Sequence, residues 1–272
     1  MKAMTVLSTR NLTKDYPRVR ALDGLTIDVP EGSPLGLLGQ NGAGKSTLLK
    51  ILLGFQAPTS GEVRVLDLDP RTSALEIRQR IGYMPEVESF IPGVSAVDFV
   101  YLAARLTGLP HDDAMQRTHM ALNYVGAHEE RYRGMETYST GMKQKVKLAQ
   151  AIVHHPRLLL LDEPTSGLDP RAREEMLDLI RDIARRGISV ILSTHILHDV
   201  EAVCGRAAIL HLGKLVAQDE VAALTAGAEA AWEVRVKGDP APFLAALRAE
   251  GLEAADREDG QIRVVHRDGT AP

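Results

Sequence analysis

Apolar and polar residues along this chain fall into blocks with different periods. From residue 4 to about residue 65, short apolar runs separated by polar residues predict antiparallel strands, with turns at Asp23 and Gly24 and at residues 60–62. Apolar residues then recur at three- and four-residue spacing between residues 96 and 135, which predicts helices. Helical and strand patterns alternate from residue 143 to residue 212, which is typical of a parallel sheet covered by helices. The chain is therefore predicted to be an α/β protein.

The pattern changes again after Gly213. Residues 232–237 and 262–265 have strand character, and residues 242–249 form a helical run that starts at a proline. These segments predict a small βαβ-like α+β appendage.

The predicted domain boundary lies at residue 223. Residues 1–223 would form the main domain and residues 224–272 the appendage, with a disordered end at residues 267–272. The appendage carries no recognisable motif. A dimerisation or regulatory addition and a structural lid are both compatible with its sequence.

A glycine-rich loop follows one of the predicted strands. The sequence GQNGAGKS, between a short apolar run and a helical run, fits the phosphate-loop pattern G-x-x-x-x-G-K-[ST]. Backbone N–H groups of such a loop and the following helix N-terminus bind phosphate. Lys45 would reach the β and γ oxygens, and the Ser46 hydroxyl can ligate magnesium. The loop residues predicted to contact a nucleotide are Gly39, Asn41, Gly42, Ala43, Gly44, Lys45, Ser46 and Thr47.

Four leucines run directly into Asp162 and Glu163. This pattern predicts a strand that is buried on both faces and whose carboxyl end reaches a ligand crevice. Two adjacent carboxylates at such a place are costly unless a cation or a reaction uses them. We expect Asp162 to hold magnesium, directly or through water, and Glu163 to polarise an attacking water as general base. An ordinary strand exit that caps the next helix is the alternative.

A second glycine-containing turn, YSTGM at residues 138–142, precedes the acidic strand. The turn resembles the signature of ATP-binding cassette (ABC) ATPases, which usually reads LSGGQ. In that family the signature occurs together with a phosphate loop and an acidic strand end such as LLLLDEP. Ser139 and Gly141 are kept, whereas Tyr138, Thr140 and Met142 depart from the usual form. A helix over residues 143–155 would place the turn at a helix N-terminus, which attracts an anion. A serine N-cap alone would explain Ser139 but not its neighbours.

The resemblance implies roles for further residues. Tyr16 matches the aromatic residue that stacks on adenine, and Asp169 lies in the SGLD loop that links the acidic pairs across the dimer. His195 matches the switch histidine that hydrogen-bonds the γ-phosphate. Glu86 stands where most members carry glutamine, and its carboxylate can still ligate magnesium. The resemblance thus assigns catalysis to Glu163, His195 and Lys45, nucleotide contacts to Tyr16, Ser139, Gly141, Asp169 and the phosphate loop, and the metal to Ser46, Glu86 and Asp162.

The resemblance covers residues 4 to about 223 and implies a fold. That fold is a P-loop NTPase of ABC type, with an antiparallel β subdomain, a mostly parallel core sheet and a helical subdomain inserted at about residues 95–150. ATP and Mg²⁺ are the implied ligands. The implied partners are membrane-spanning permease subunits and a second cassette, either the same chain or a close paralogue, with two ATP molecules at the interface.

Glu86 together with a YSTGM-type signature looks like ATPases of bacterial exporters for drugs, antibiotics, ions or polysaccharides. A soluble ABC ATPase of iron–sulfur assembly is the alternative. A kinase or GTPase is disfavoured because the chain has no acceptor-pocket motif and no guanine-reading Asn-Lys-x-Asp.

Composition agrees with a cytosolic subunit. The formal net charge of −4 gives no general attraction to nucleic acid, and no nucleic-acid partner is expected. The single cysteine, Cys204, suits a reducing compartment. No export signal is recognisable, and the apolar runs are far shorter than the roughly 20 residues that span a bilayer. We therefore expect the protein at the cytoplasmic face of the membrane, held there by a permease that makes the substrate contacts.

Residues 87–94 place apolar side chains, including Phe90 and Ile91, in a loop directly after Glu86. Apolar residues in a loop need either a core or a partner. The resemblance implies that the permease docks here, in the groove between the Glu86 loop and the helical segment. The alternative is that Phe90 and Ile91 fill the junction between two subdomains.

Overall fold

The computed structural model describes residues 5–87, 90–226, 230–235, 239–250, 252–257 and 261–266. The chain divides into two compact units, residues 1–221 and residues 222–272. The predicted disorder at residues 267–272 lies outside the described residues. In the part of the chain that is described, every helix is too short or too polar to cross a membrane.

Strands and helices alternate through the first unit. Its strands are β1 (Thr5–Tyr16), β2 (Val19–Leu25), β3 (Asp28–Pro30), β4 (Leu35–Leu38), β5 (Ser60–Val65), β6 (Ile81–Met84), β7 (Leu158–Asp162), β8 (Ser189–Thr194), β9 (Arg206–His211) and β10 (Lys214–Glu220). Its α-helices are α1 (Lys45–Leu52), α2 (Ala74–Arg80), α3 (Ala96–Leu106), α4 (His111–Tyr124), α5 (Thr140–Ile152), α6 (Pro170–Arg185) and α7 (Leu197–Val203), and α8 (Val221–Thr225) spans the division between the units. Two short 3-10 helices, Glu129–Tyr132 and Met135–Thr137, lead into α5.

Two sheets organise this unit. The smaller sheet is antiparallel, with β1 paired to β2, β3 and β5. The larger sheet has the order β10-β9-β4-β8-β7-β6, in which β10 runs antiparallel to β9 and the other pairs are parallel. The predicted α/β class, with an antiparallel β subdomain and a mostly parallel core sheet, is confirmed.

The two turns predicted in the antiparallel region are wrong. Asp23 and Gly24 lie inside β2, and residues 60–62 begin β5. Gly24 and Gly61 have φ values of 67° and 87°, next to register shifts in the pairing of β1 with β2 and β5. A glycine in the left-handed region is typical of a β-bulge, which bends a strand without ending it. The glycine-containing segments that predicted turns therefore mark β-bulges in the structure.

The core lies between the two sheets and α1. Leu48, Leu49, Ile51 and Leu52 of α1 are buried together with leucines of β4 and β7. Burying each such side chain contributes roughly 1.5–3 kcal/mol. This packing fixes the helix that follows the phosphate loop against the strands that carry the other predicted site residues.

The predicted helices between residues 96 and 135 are present as α3 and α4. Ser95 caps α3 by accepting a hydrogen bond from the Asp98 N–H. The helix after YSTGM begins at Thr140 and ends at Ile152, about three residues before the predicted bounds at both ends. It begins earlier because Ser139 serves as its N-cap and accepts from the Met142 N–H.

The second unit contains β11 (Ala230–Arg235), α9 (Ala241–Ala249), β12 (Glu253–Arg257) and β13 (Gln261–His266). The sheet order is β11-β13-β12, with both pairs antiparallel. β11 and β12 therefore run in the same direction on either side of β13, and α9 connects them. The sequence predicts β11, α9 and β13 but not β12, because EAADR lacks β-branched and aromatic residues.

Candidate functional site

The phosphate loop connects β4 to α1. Gly44 is the N-cap residue of α1 with φ 104°, and a Cβ at this position would lie 2.5 Å from the carbonyl oxygen of Ala21. A larger residue is excluded by both the backbone conformation and the space. The first turn of α1 contains no acidic residue. Its N–H groups and the positive end of its dipole are therefore available to an anion.

Lys45 is buried at the base of this loop, with 5% of its surface exposed. Its Nζ donates to the carbonyl oxygen of Gly39 and lies 3.3 Å from Glu163 Oε1. A buried ammonium is tolerated only with such partners. The loop lysine and the acidic strand end thus meet inside one chain.

A cleft of about 420 Å³ opens at this point. Its walls come from β1, β2, the phosphate loop, the segment after β6 and the segment after β7. It is lined by Tyr16, Val19, Ala21, Gln40, Asn41, Gly42, Ala43, Gly44, Lys45, Ser46, Thr47, Glu86 and Glu163. Residues far apart in the sequence and predicted to contact one nucleotide therefore share one cleft.

Strand order explains why the acidic pair lies at this edge of the sheet, where Glu163 lines the cleft and Asp162 is buried. β4, β8 and β7 are neighbours, with Leu38 opposite Thr194 and Asp162 opposite Ser193. Their carboxyl ends consequently lie at one edge of the sheet, where ligands bind in open α/β sheets. The Ser193 hydroxyl donates to Asp162 Oδ1 at 2.8 Å, which orients that buried carboxylate.

Glu163 turns away from the strand in a left-handed conformation, with φ 48°. Its N–H donates to the Ser193 carbonyl at 2.9 Å. A non-glycine residue in this region is strained, and such strain is concentrated at functional sites. The residue is 4% exposed, and its buried Oε1, 3.3 Å from the Lys45 ammonium, accepts no hydrogen bond.

His195 follows β8 and contacts the same carboxylate. Its Nδ1 lies 3.0 Å from Glu163 Oε2, while 48% of its side chain remains exposed. When Glu163 is ionised, Nδ1 must carry the hydrogen because a carboxylate only accepts. The Nε2 of a neutral His195 is then an acceptor.

Glu86 lies at the cleft with an exposed side chain, two residues after β6. Burial first, and then the negative charges of Asp162 and Glu86, raise the pKa of nearby Tyr83 to about 12. The two carboxylates thus add to the negative potential on one side of the cleft. A cation or a lysine is needed to balance it.

Tyr16 ends β1 with its ring in the cleft wall. Its hydroxyl donates to Gln56 Oε1, and the Lys14 ammonium lies 5.3 Å from the ring centroid. These contacts hold the ring in position. Neither Gln56 nor Lys14 was identified from the sequence. The Gln56 contact is long-range, whereas Lys14 lies two residues before Tyr16 on β1, a spacing that places both side chains on one face of the strand.

The signature turn lies apart from this cleft. Ser139 is exposed at the start of α5, and Ser139, Gly141 and Asp169 are absent from the described residues that line the cleft. Asp169 instead caps α6, where its Oδ1 accepts from the Ala172 N–H at 2.8 Å. A Cβ on Gly141 would lie 3.4 Å from the Ala172 side chain, so the turn and the start of α6 are neighbours.

A buried carboxylate braces the segment between Glu163 and Asp169. Asp199 of α7 is fully buried, accepts from the Thr165 hydroxyl at 2.5 Å and from Arg173 Nε at 2.7 Å. Thr165 lies two residues after Glu163, and Arg173 lies in α6. The helix after His195 is therefore tied to the segment that leads to Asp169.

An apolar groove lies beside the Glu86 loop. Phe55, Leu75 and Leu106 line it, and each has more than half of its surface exposed. The other lining residues are Leu53, Arg78, Gln79, Ile81, Tyr83, Pro85, Ala103, Thr107, Gln150 and His154. Exposed apolar residues clustered around a groove are typical of a protein interaction site.

Phe90 and Ile91 have different surroundings. The Phe90 ring packs edge-on against buried Phe99 of α3, with 5.3 Å between centroids. Ile91 is 43% exposed. Phe90 therefore fills a junction with the helical subdomain, and Ile91 remains accessible to a partner. Glu88 and Ser89, between Glu86 and these residues, lie outside the described ranges.

Known proteins resemble this chain in sequence. A family profile described as ABC transporter matches residues 22–166. The chain is 39% identical over 210 residues to YxlF of Bacillus subtilis, an uncharacterized ABC transporter ATP-binding protein, covering 77% of this chain and 69% of that protein. It is 38% identical over 213 residues to the bacitracin transport ATP-binding protein BcrA of Bacillus licheniformis, covering 78% and 69%. It is 31% identical over 246 residues to the linearmycin resistance ATP-binding protein LnrL of Bacillus subtilis, covering 90% and 79%.

Solved structures share the fold. An ATP-binding subunit of an ABC transporter superposes with a TM-score of 0.74 at 29% identity, covering 82% of this chain and 92% of that chain. The dimeric cassette MJ0796 in a post-hydrolysis state bound to ADP and Pi superposes with a TM-score of 0.71 at 25% identity, covering 79% and 98%.

Proposed function

The chain belongs to the ABC transporter family, and from this premise we propose that it is the ATP-binding and ATP-hydrolysing subunit of an exporter whose membrane-spanning permeases are separate chains. The relatives named for bacitracin transport and linearmycin resistance support the exporter assignment. The observation that carries ATP turnover is the cleft in which Lys45 and Glu163 face each other 3.3 Å apart. The iron–sulfur assembly alternative receives no support from these relatives.

Phosphate binding uses the loop and the N-terminus of α1. Lys45 exchanges its contact with Glu163 for the β and γ oxygens, which are stronger partners because they carry more charge. The backbone of Asn41, Gly42 and Ala43 curls around the phosphates, and Thr47 lies one residue beyond Ser46 on the same helix. Adenine stacks on the Tyr16 ring that Gln56 holds.

The donors at the cleft fit a hard divalent cation. Ser46 and Glu86, which line the cleft, supply a hydroxyl and a carboxylate, and buried Asp162 at the end of β7 supplies a second carboxylate. Glu163 Oε1, 3.3 Å from the Lys45 ammonium, accepts no hydrogen bond. Mg²⁺ prefers such oxygen ligands and completes its shell with substrate phosphates. When bound, it neutralises charge on the phosphate oxygens. The hydrogen bond from Ser193 keeps Asp162 oriented toward that role.

Hydrolysis depends on Glu163 as general base. Its carboxylate orients the attacking water and accepts the proton. His195 donates to Oε2 of that carboxylate and restricts its rotation. A neutral His195 in this tautomer has no proton left on Nε2. The ring would donate to the γ-phosphate only in the tautomer with its hydrogen on Nε2, in which Nδ1 no longer donates to Glu163.

The signature turn acts on a nucleotide held by a second cassette. Ser139 and Gly141 lie at a helix N-terminus outside their own cleft, where they can meet a γ-phosphate from another subunit. Asp169 lies beside them, at the start of α6. The dimeric neighbour bound to ADP and Pi supports this arrangement. Two ATP molecules would lie between two copies of this chain, or between it and a close paralogue.

Permease docking is assigned to the groove lined by Phe55, Leu75 and Leu106. A helix of the permease that buries these side chains would hold the protein at the cytoplasmic face of the membrane. The permease would also make the contacts with the transported substrate. No nucleic-acid partner is proposed.

Co-purification from detergent-solubilised membranes tests this function. The native chain should co-purify with a membrane-spanning partner. The Leu106→Arg variant should no longer co-purify with that partner but should keep its basal ATPase activity, because Leu106 is 76% exposed. Met120→Arg is the matched control, since Met120 is a 55% exposed apolar residue of α4 outside the groove. A soluble partner, or equal loss with both variants, would refute the assignment.

A further inference from the structure

Lys147 is a charged residue within the buried stripe of α5. It is 2% exposed, and helical spacing places it on one face with Gln144, Leu148 and Ala151, which are also buried. Removing an ammonium group from water is costly unless hydrogen bonds replace the lost hydration. An apolar residue of similar length would pack in the same stripe without this cost. The presence of lysine therefore indicates a role for its ammonium group.

The ammonium group reaches the segment that carries Glu86. Lys147 Nζ donates to the carbonyl oxygen of Glu86 at 3.1 Å. The geometry follows from close packing of β6 on α5, where a Cβ on Gly82 would lie 2.0 Å from the Ala151 carbonyl. Glu86 lies four positions beyond Gly82, and Lys147 lies one helical turn before Ala151. The long Lys147 side chain spans the distance between the chain after β6 and helix α5, where the two diverge.

The same face of α5 contacts a second segment of the site. Gln144 Nε2 donates to the Ser166 carbonyl at 3.3 Å, in the segment between Glu163 and Asp169. α5 begins at the signature turn with Ser139 as its N-cap. One helix thus joins the signature turn to the Glu86 segment and to the segment after the general base.

We propose that Lys147 is a positioning residue that fastens the Glu86 segment to α5 and so presents the Glu86 carboxylate to the cleft. Lys147 does not line the cleft itself. It acts through the Glu86 backbone, leaving the carboxylate free. This inference rests on the proposed function for the metal-binding role of Glu86, whereas the tether itself is a property of the protein without ligands.

Hydrogen–deuterium exchange of the full-length, ligand-free chain tests the tether. Lys147→Met keeps the length of the side chain and removes the ammonium. The backbone amides of the peptide containing Glu86 should exchange about tenfold faster. The segment opens more often once the hydrogen bond from the Lys147 ammonium to the Glu86 carbonyl is lost. The melting temperature should not fall, since an apolar isostere removes a buried charge. Lys145→Met is the control: it breaks an ion pair from the same helix to Glu175 and should leave the Glu86 peptide unchanged.

A purely structural lysine gives the opposite result, a lower melting temperature with no change confined to the Glu86 peptide. Unchanged exchange of that peptide would overturn the proposal.

A double-mutant cycle with magnesium tests the consequence for the site. Lys147→Met should raise the Mg²⁺ concentration for half-maximal ATPase activity about tenfold, the size expected for loss of a residue that supports a metal ligand. In a Glu86→Ala background the same substitution should add nothing. Fully additive effects would contradict action through Glu86. If Glu86→Ala alone leaves the Mg²⁺ dependence unchanged, the metal role of Glu86 fails, while the exchange experiment still decides the tether.

Discussion

The cleft and the signature turn differ in how much of their chemistry is completed within one chain. In the cleft, Lys45 and Glu163 are nearly fully buried and lie 3.3 Å apart, and His195 contacts the Glu163 carboxylate. At the signature turn, Ser139 and Asp169 are exposed, and their side chains cap their own helices. The cleft therefore has internal partners for its charges, whereas the turn offers helix N–H groups to a ligand from elsewhere.

We therefore expect nucleotide binding to need the cleft alone, and ATP turnover to need the signature turn of a second chain as well. A cleft in which Lys45 is paired and Glu163 is held in a strained conformation can hold a nucleotide by itself. A helix N-terminus without a lined cavity can act only when another molecule brings an anion to it. We therefore expect substitutions in the cleft to act within one chain and substitutions in the turn to act on the partner's nucleotide.

The largest effect is expected from Glu163→Gln. Loss of the general base should lower the ATP hydrolysis rate by about 10²–10⁴-fold. ATP binding should persist, because Lys45 and the loop are unchanged, and an ATP-bound dimer should accumulate in size-exclusion chromatography. Glu174→Gln, at an exposed carboxylate paired with His198, is the control and should retain activity. A near-normal rate for Glu163→Gln would remove Glu163 from its catalytic role.

Asp199→Ala tests the brace between the two regions. Removing a fully buried carboxylate leaves Arg173 and Thr165 without their partner, and should lower the free energy of unfolding by about 3 kcal/mol. Asp178→Ala breaks an exposed pair with Arg181 and should lower it by less than about 1 kcal/mol. Urea denaturation measures both. Equal effects would mean that the brace is no stronger than a surface ion pair.

Lys45→Ala should weaken ATP binding. A charge-assisted contact to the β and γ oxygens contributes about 1.5–3 kcal/mol, so the Kd should rise by roughly 10- to 150-fold. Lys50→Ala, at an exposed position of the same helix, should change the Kd little. Isothermal titration calorimetry distinguishes the two variants. Unaltered affinity for Lys45→Ala would contradict the assignment of the cleft.

The smallest effect lies outside both regions, at His154 beside the groove. Burial lowers the pKa of His154 below its ordinary 6.5. The unfolded chain therefore binds a proton first as the pH falls through 6.5, and stability present above that pH is lost below it. His154→Gln keeps a donor for the Ile81 carbonyl and should reduce this loss, as measured by thermal unfolding at several pH values. If stability depends on pH in the same way in His154→Gln as in the native chain, groups other than His154 cause the loss of stability at low pH.

Local motifs could be predicted from the sequence, whereas contacts that depend on long-range packing could not. The phosphate loop and the acidic strand end are set by neighbouring residues, and strand order then brings Lys45 near Glu163. Burial of Lys147 depends on how β6 packs on α5, and the Gln56 contact of Tyr16 depends on strand placement. The sequence held one clue to the contact between Ser193 and Asp162: Ser193 is a polar residue within the apolar strand before His195.

One mixing experiment tests the central claim that the cleft of one chain works with the signature turn of another. Lys45→Ala disables the cleft, and Gly141→Asp places a negative charge at the turn, where an acidic residue in the first helical turn does not impair folding. Each variant alone should be inactive. An equimolar mixture should recover about a quarter of the wild-type ATPase rate, because random pairing gives one complete site in half of the dimers. A mixture no more active than the average of the two variants would contradict the claim.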